Sequence, residues 1–523
     1  MKTIRTIVII LALAVGLLYG TTAGQTPPVP SQEQPQVLTS GPVHEAFAEP
    51  VTLQNQAGLT APEPPPPDIQ EVPPIERPRG NQYVWVPGYW AWDSDQNHYV
   101  WVSGCWRAAP PNMSWVPGYW NQVDDSWEWV AGCWVAAGAS NIDYLPAPPV
   151  YEDVEPPGPP PSESDIWVPP CPYWYQGQYV ERPGYWLAGR SDWVWVPSHY
   201  DWTPRGYIFC PGYWDYPFED RGVLFAPVYF RPGAYLRAGY IFSPSFVLDL
   251  GVVSGYMFTY PRYCHYFFGD YYDDVFLSIG IFPEFYVDRY HTWYDPIFMH
   301  ERWSHRHEPR WEDNERHDYD SRRLDKELRP PRTYQDMETR QARLPEQQRR
   351  NFQMAEPLTK FETSRETPMR FERMSPRSQQ NVARQGTAVR SFSSKRNRWE
   401  SAPAGQGQVQ PPPRQGSQIP PPEQPRGNVQ RPPEQKGQAP APEQPRGNVP
   451  PAEQRGQVNQ PGQNRPPFVP PREVHRTQPE RVNVPAPPIV GRRGSGQNSP
   501  PPRPTNERGY QSGQRGGGNK RGR

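Results

Sequence analysis

Between residues 83 and 135 the chain alternates aromatic or aliphatic residues with polar ones, and short polar clusters interrupt the alternation. The stretches YWAW and YVWV flank one such cluster, DSDQNH. An alternation of period two is typical of β-strands, and clusters of this composition mark turns. The pattern therefore predicts antiparallel strands joined by short loops.

The tryptophans set the register of this predicted sheet. Placing Trp92 opposite Tyr99 across the first turn brings Trp90 opposite Trp101. Extending the same reasoning across the turns APPN and VDDS predicts a continuous meander in which every strand pairs with the next. Its two tryptophan rows would be Trp85, Trp106, Trp115 and Trp134, and Trp90, Trp101, Trp120 and Trp129.

The glycine between the tryptophans needs an explanation. Trp85 and Trp90 are five residues apart, so a flat strand would place them on opposite faces. A glycine bulge would add one residue and restore a common face. The alternative is a tight turn at VPGY, but type II turns match hairpin twist poorly, and we favour the bulge.

The motif W-x-x-G-x-W recurs along this region. Degenerate copies begin at Trp167, Glu181, Trp195, Phe209 and Phe225, and full copies occupy Trp85–Trp90, Trp101–Trp106, Trp115–Trp120 and Trp129–Trp134. These residues resemble the YXWGXW (WXXGXW) repeat family of exported bacterial proteins. The resemblance implies a repeat architecture, and it implies no particular chemistry because the family has no established activity.

Composition divides the rest of the chain. Proline and glycine number 75 and 42, and segments rich in them cannot bury enough apolar surface to offset the entropy of ordering. The predicted fold class is mainly β: antiparallel Trp-rich meander repeats and a small aromatic β-rich module, with a long disordered N-terminal linker and C-terminal tail. The predicted segments are a signal peptide at 1–24, a Pro-rich disordered linker at 25–80, a first repeat block at 81–140, a Pro-rich linker at 141–164, a degenerate repeat block at 165–221, the aromatic module at 222–306, a charged, partly helical or disordered segment at 307–400, and a disordered basic tail at 401–523.

The N-terminus has the pattern of an export signal. Lys2 and Arg5 precede an apolar run over residues 7–18, and small residues near Ala23 suit cleavage there. The alternative is an uncleaved anchor. We expect a periplasmic, envelope or extracellular protein that meets the membrane only during export.

Export would place five cysteines in an oxidising compartment. Their number is odd and their spacings match no zinc motif. The meander places Cys105 and Cys133 on either side of Val116, too far apart for a disulfide between them.

Two groups of residues invite a chemical interpretation. His300, His305 and His307 could form an adventitious metal site, but a solvated boundary rich in His and Arg explains them better. Four carboxylates, namely Asp270, Asp273, Asp274 and Glu284, could serve a glycosidase, although an acidic loop beside tyrosines is far commoner.

The sequence therefore favours an exported, non-catalytic scaffold or polymer-binding protein, with no catalytic residue, metal or cofactor. Any uncovered row of Trp90, Trp101, Trp120 and Trp129 would stack on envelope polysaccharide or contact other envelope proteins. Residues 401–523 carry 18 Lys and Arg against 7 Glu, a charge of +11 that favours acidic polymers. The export signal argues against nucleic acid. The alternatives are that both rows are core, making the repeats a rigid spacer, and that 222–306 is a hydrolase.

Overall fold

The structure, a computed structural model, describes residues 34–53, 57–139, 142–150, 155–287, 292–364, 367 and 369–401, together with the backbone of 481–482. The predicted signal peptide and almost all of the predicted tail lie outside these residues, as does a second unit at 407–478. Within the described residues the fold is mainly β, as predicted. No helix among them is long and apolar enough to cross a membrane.

Four β-hairpins carry the tryptophan motifs, and each consists of an outer and an inner pair of strands. We number them hairpin 1 (83–108), hairpin 2 (113–136), hairpin 3 (165–188) and hairpin 4 (194–215). Their strands are Tyr83–Val86, Tyr89–Asp93, His98–Val102 and Cys105–Ala108; Met113–Val116, Tyr119–Val123, Ser126–Val130 and Cys133–Ala136; Asp165–Val168, Tyr173–Tyr175, Gln178–Val180 and Tyr185–Ala188; and Val194–Val196, His199–Thr203, Gly206–Cys210 and Tyr213–Asp215.

Each hairpin is interrupted between its two strand pairs without a change of register. In hairpin 1, Val86 pairs with Cys105 and Tyr89 pairs with Val102, so residues 87 and 88 face residues 103 and 104. The predicted bulge is wrong, because a bulge needs an extra residue on one strand. The alternative tight turn is wrong as well, because the chain continues in the same direction.

The predicted register within hairpins 1 and 2 is confirmed, and all four hairpins bring aromatic rings into cross-strand pairs. Edge-on and tilted contacts of this kind stabilise a sheet beyond the area that they bury. The ring centroids lie 5.3 Å apart in Trp85–Trp106, 5.2 Å in Trp90–Trp101, 5.3 Å in Trp115–Trp134, 5.3 Å in Trp120–Trp129, 5.3 Å in Trp167–Trp186, 4.8 Å in Trp174–Tyr179, 5.1 Å in Trp195–Trp214 and 5.2 Å in Tyr200–Phe209.

At each motif glycine, an indole ring from the paired motif packs against the glycine backbone. A Cβ on Gly132 would lie 2.4 Å from Trp115 Cζ2, and one on Gly118 would lie 2.5 Å from Trp129 Cζ2. The first tryptophan of one motif therefore occupies the space that a side chain would need in the paired motif. The equivalent pairs are Gly88 with Trp101, Gly104 with Trp85, Gly184 with Trp167 and Gly212 with Trp195.

Hairpins 1 and 2 do not join in the predicted meander. Trp106 lies opposite Val223 of strand Gly222–Leu224, and Trp101 lies opposite Val228 of strand Val228–Tyr229. The predicted pairing of each tryptophan row across the turn APPN is therefore wrong. The alternation fixes pairing inside a hairpin, but it does not select the strand that takes the free edge.

The described residues of 34–80, namely 34–53 and 57–80, are packed into the fold, although they were predicted as part of a disordered linker. Val43, Ala46 and Phe47 are fully buried. The segment adds a short strand to five different sheets, and proline is tolerated in such edge positions. These strands are Gln36–Val37, Gly41–Pro42, Val51–Thr52, Thr60–Ala61 and Glu76–Pro78.

The predicted aromatic module does not have a core of its own. One continuous core joins Phe47, Trp101 and Trp129 to Phe258 and Tyr266. Other strands of the fold are Ile142–Leu145, Gly222–Leu224, Val228–Tyr229, Phe246–Leu248, Met257–Tyr260, His265–Phe268, Phe282–Pro283, Trp293–Tyr294, Ala355–Pro357, Phe371–Arg373 and Arg481–Val482.

Helices are concentrated after residue 290, and several lie in 307–400, the segment predicted to be partly helical or disordered. One short helix begins at Asp274, after the N-cap residue Asp273. The α-helices are Leu250–Val253, Asp274–Ile279, Pro296–Ser304, Trp311–Leu324, Tyr334–Gln341, Glu346–Arg349, Leu358–Phe361 and Pro376–Glu400. The 3₁₀ helices are Phe218–Asp220, Ala234–Leu236, Ser254–Tyr256, Pro261–Tyr263, Glu284–Tyr286, Lys326–Leu328 and Arg350–Phe352.

Candidate functional site

The four tryptophans predicted as a contact row are core residues. Trp90, Trp101, Trp120 and Trp129 are 4%, 0%, 7% and 3% exposed. The Trp101 indole donates to Glu71, and the Trp120 indole donates to the backbone oxygen of Trp90 at 2.8 Å. Another layer covers the row, so these rings are not accessible to a polymer in this structure.

A buried carboxylate holds the interrupted middle of hairpin 1. Glu71 accepts hydrogen bonds from the amides of Gly88 and Gly104 at 2.6 and 2.9 Å, and from Trp101 Nε1 at 3.2 Å. The ladder is broken at both glycines, so the glutamate satisfies amides that would otherwise be buried without a partner. Burial raises the pKa of Glu71 above its usual value.

A buried glutamate has the same role in hairpin 2. Glu45 accepts from the amide of Gly132 at 3.0 Å and from Trp129 Nε1 at 3.2 Å. Burial raises the pKa of Glu45 to about 8, although both donors act in the opposite direction. Both glutamates come from the segment predicted as a linker, and their hydrogen bonds attach it to hairpins 1 and 2.

The helix Pro376–Glu400 closes the other side of hairpin 2. Arg396 Nη1 donates to the backbone oxygens of Ala131 and Pro117 at 2.7 and 3.0 Å. Its Nε donates to Glu400 at 2.7 Å, and Glu400 also accepts from Tyr119 at 2.7 Å. Hairpin 2 is thus enclosed between the N-terminal segment and this helix.

Hairpin 3 differs, because it leaves aromatic side chains at the surface. Tyr173 and Tyr175 are 42% and 54% exposed. They alternate with Trp174, so both face the same way, and their ring centroids lie 6.4 Å apart. The flanking side chains of Gln176 and Gln178 are also exposed. We call the two rings and two amides the tyrosine platform.

The predicted acidic candidates in the aromatic module are held in ion pairs. Arg329 lies 3.4 Å from Asp270 and 2.9 Å from Asp273, and Arg323 lies 2.9 Å from Asp274. The three carboxylates therefore join the helical segment 311–329 to this part of the fold. Nothing in their geometry favours acid–base chemistry over this structural role.

The fourth candidate, Glu284, lies in a different environment. It is half-buried, and burial raises its pKa well above the usual value, with neighbouring Asp295 adding to the effect. Asp295 is itself fully buried and accepts from Tyr266 at 2.5 Å and Thr259 at 2.9 Å while it caps the following helix. These contacts give Asp295 a capping role.

The three histidines considered as metal ligands have separate partners. His300 stacks on Trp303 with centroids 6.0 Å apart, and burial lowers its pKa to about 4. His305 stacks on Trp311 at 4.8 Å, and His307 Nδ1 lies 3.8 Å from Glu163. The imidazoles therefore serve as packing and ion-pair groups at this boundary.

A buried thiol–carboxylate cluster lies between hairpins 2 and 4, and no spacing of residues along the chain indicates it. The ligand atoms of Cys133, Asp201 and Cys210 lie within 4.8 Å of one another. The Cys210 thiol donates to Asp201 Oδ2 at 3.0 Å, and His199 Nε2 lies 3.7 Å from Asp201 Oδ1. All four residues are buried, and burial raises the pKa of Cys210 well above its usual value.

All five cysteines are free thiols. Cys105 and Cys133 are not bridged, as predicted, but the predicted reason does not hold. Cys133 pairs with Val116, whereas Cys105 pairs with Val86 in another sheet. Their separation follows from the separation of hairpins 1 and 2.

Comparison with known proteins identifies the repeats. The model of the WXXGXW repeat, which spans two copies, matches residues 83–107, 111–135 and 190–215. No curated protein and no solved structure matches the chain. The matched segments coincide with hairpins 1, 2 and 4, so each hairpin is one pair of motif copies. The protein therefore carries WXXGXW repeats. Each of the three matched segments forms a hairpin that is stabilised by paired aromatic rings.

Proposed function

We propose that the protein is an exported, non-catalytic scaffold of the cell envelope or extracellular space, and that its tyrosine platform binds envelope polysaccharide. The observation that carries the proposal is the contrast in exposure between the hairpins. The motif tryptophans of hairpins 1 and 2 are buried in the core, whereas Tyr173 and Tyr175 present their rings to solvent on a paired strand.

The platform suits a sugar chain. The two rings are inclined at 59° to each other, so each can offer a face to the C–H side of a different pyranose unit. Tyrosine suits a ligand that is apolar in the middle and polar at its edge. Gln176 and Gln178 supply exposed amides beside the rings for hydroxyl groups. The hairpin below is held by the Trp174–Tyr179 contact at 4.8 Å, so the platform stands on an ordered base.

The basic tail would strengthen binding to an acidic polymer. Its excess of Lys and Arg gives a charge of +11 over 401–523. Such attraction is screened by salt over about 8 Å at physiological ionic strength. Binding by the rings is expected to persist at high salt, while the contribution of the tail is expected to vanish.

The test compares the wild-type chain with a Tyr173→Ala/Tyr175→Ala variant in pelleting with purified peptidoglycan at high salt. We expect the variant to keep its near-ultraviolet circular dichroism and to lose most of its retention. A Leu236→Ala variant is the matched control, because Leu236 is also an exposed apolar side chain, at 60%. Full retention of the double variant would sink the proposal, and so would polymer cleavage that Asp273→Asn abolishes.

A further inference from the structure

We propose that Cys133, Asp201, Cys210 and His199 form a structural binding site for a divalent metal ion of the zinc class. The site joins hairpin 2 to hairpin 4. It is separate from the tyrosine platform and does not depend on the proposed function.

The β-ladder places three of the four side chains on one face. His199 and Cys210 are directly opposite each other in hairpin 4, and paired residues of two strands project to the same side. Asp201 is two residues after His199 on the same strand and therefore shares that face. Cys133 faces this group from hairpin 2.

The donor set and its spacing suit zinc. Zinc in structural sites binds thiolates, imidazoles and carboxylates with tetrahedral geometry, and a zinc–sulfur distance of about 2.3 Å places two sulfurs about 3.8 Å apart. The sulfurs of Cys133 and Cys210 and a carboxylate oxygen of Asp201 already lie within 4.8 Å of one another. Metal binding would require side-chain rotation that brings the two sulfurs to about 3.8 Å from each other.

His199 is oriented to serve as the fourth ligand. Its Nδ1 is 2.9 Å from the backbone oxygen of Pro197, so that nitrogen carries the proton and Nε2 has the free lone pair. Nε2 in turn lies on the side of Asp201, at 3.7 Å from Oδ1. A hydrogen bond from the far nitrogen to a carbonyl is the usual way in which proteins orient a metal-binding imidazole.

The surroundings match a closed structural site. Cys133 and Cys210 are fully buried, and Val116, Ile208 and Phe392 pack around them. Structural zinc sites are closed in this way, whereas catalytic sites keep an open position. Asp201 also lines a small cleft with room for about one water molecule.

Zinc would bind to the two thiols with release of their protons, because the thiolate is the ligand form. No bond is formed between the sulfurs and no electrons are transferred. A disulfide between Cys133 and Cys210 is the competing outcome, and the two are mutually exclusive because both sulfurs would be consumed.

The test uses the full chain, reduced, stripped with a chelator and then titrated with Zn²⁺ or Co²⁺. We expect one ion per chain and a near-ultraviolet thiolate-to-cobalt charge-transfer band. Loss of an outer-shell contact already costs about 10–100-fold in affinity, so Cys133→Ser and Cys210→Ser should each weaken binding by at least about 100-fold. Cys105→Ser is the matched control, since Cys105 is equally buried and occupies the same position in hairpin 1 as Cys133 in hairpin 2.

Two further measurements separate loss of the site from misfolding. Zinc should raise the melting temperature of the wild type and of Cys105→Ser but not that of Cys210→Ser. Asp201→Asn, which keeps the side-chain shape, should retain the metal-free circular dichroism and bind zinc more weakly. The proposal is overturned if the reduced wild type takes up no metal, if Cys105→Ser weakens binding as much as Cys133→Ser, or if peptide mapping of the natively isolated protein shows a Cys133–Cys210 disulfide.

Discussion

Hairpins 2 and 3 have the same plan and opposite surroundings. Both keep one register across a central interruption, and both carry an outer tryptophan pair with ring centroids 5.3 Å apart. Trp134 in hairpin 2 is 2% exposed, whereas its counterpart Trp186 in hairpin 3 is only half-buried. The aromatic pair therefore forms in buried and in exposed hairpins alike, and it does not determine how exposed a hairpin is.

The exposure of a hairpin depends on the other elements that pack over it. Hairpin 2 receives the edge strand Thr60–Ala61, the buried carboxylate of Glu45 and the helix Pro376–Glu400. Hairpin 3 retains exposed rings at Tyr173 and Tyr175. One repeat sequence can therefore be buried in one place and leave aromatic rings exposed in another.

The largest difference in stability between hairpins 2 and 3 is expected when one tryptophan of the outer pair is replaced by alanine. Trp134→Ala removes a buried ring and should destabilise the chain by about 3–5 kcal/mol, the usual cost of a large cavity. Trp186→Ala should cost less than half of that, because its ring is half-buried. Urea unfolding followed by circular dichroism measures both, and equal losses would contradict the distinction between the hairpins.

A smaller difference in stability between the two hairpins is expected when a motif glycine is replaced by alanine. A Cβ on Gly132 would lie 2.4 Å from Trp115 Cζ2, and one on Gly184 would lie 2.2 Å from Trp167 Cζ2. Trp115 is 2% exposed and cannot move, so Gly132→Ala should cost about 1–3 kcal/mol as an overpacked site.

Gly184→Ala should cost less than Gly132→Ala, since Trp167 is half-buried and its ring can shift outward. Gly255→Ala is the control, because a Cβ at Gly255 meets no atom within 4 Å, and it should stay within about 0.5 kcal/mol of the wild type. If Gly184→Ala proved the more damaging change, the covering elements would not explain the difference.

The sequence predicts the parts of this fold that are local. The register of each hairpin follows from the spacing of Trp90 and Trp101 around a short turn, because side-chain alternation and loop length suffice to set it. Which strand takes a free edge depends on contacts far along the chain. Residues 25–80 were expected to be disordered because a Pro-rich segment has too little apolar surface to offset the entropy of ordering, and composition does not show contacts with distant strands.

The candidate sites likewise depend on contacts between distant parts of the chain, which a local sequence pattern does not predict. The four predicted contact tryptophans have the right chemistry, but their exposure depends on Glu71, Glu45 and other groups that no local pattern connects to them. The thiol–carboxylate cluster brings Cys133 together with Asp201 and Cys210 from a separate hairpin. No spacing motif can reveal a site built across two repeats.

Hydrogen–deuterium exchange on the full chain, with and without soluble peptidoglycan fragments, tests the central claim most directly. The strands around Trp101 and Trp129 should exchange slowly in both conditions, because they form the core. Residues 173–180 should exchange faster when the protein is free and become protected when the fragments are added. Ligand-dependent protection at 89–102 or 119–130, or binding without any change at 173–180, would contradict the division of the repeats into covered core and exposed platform.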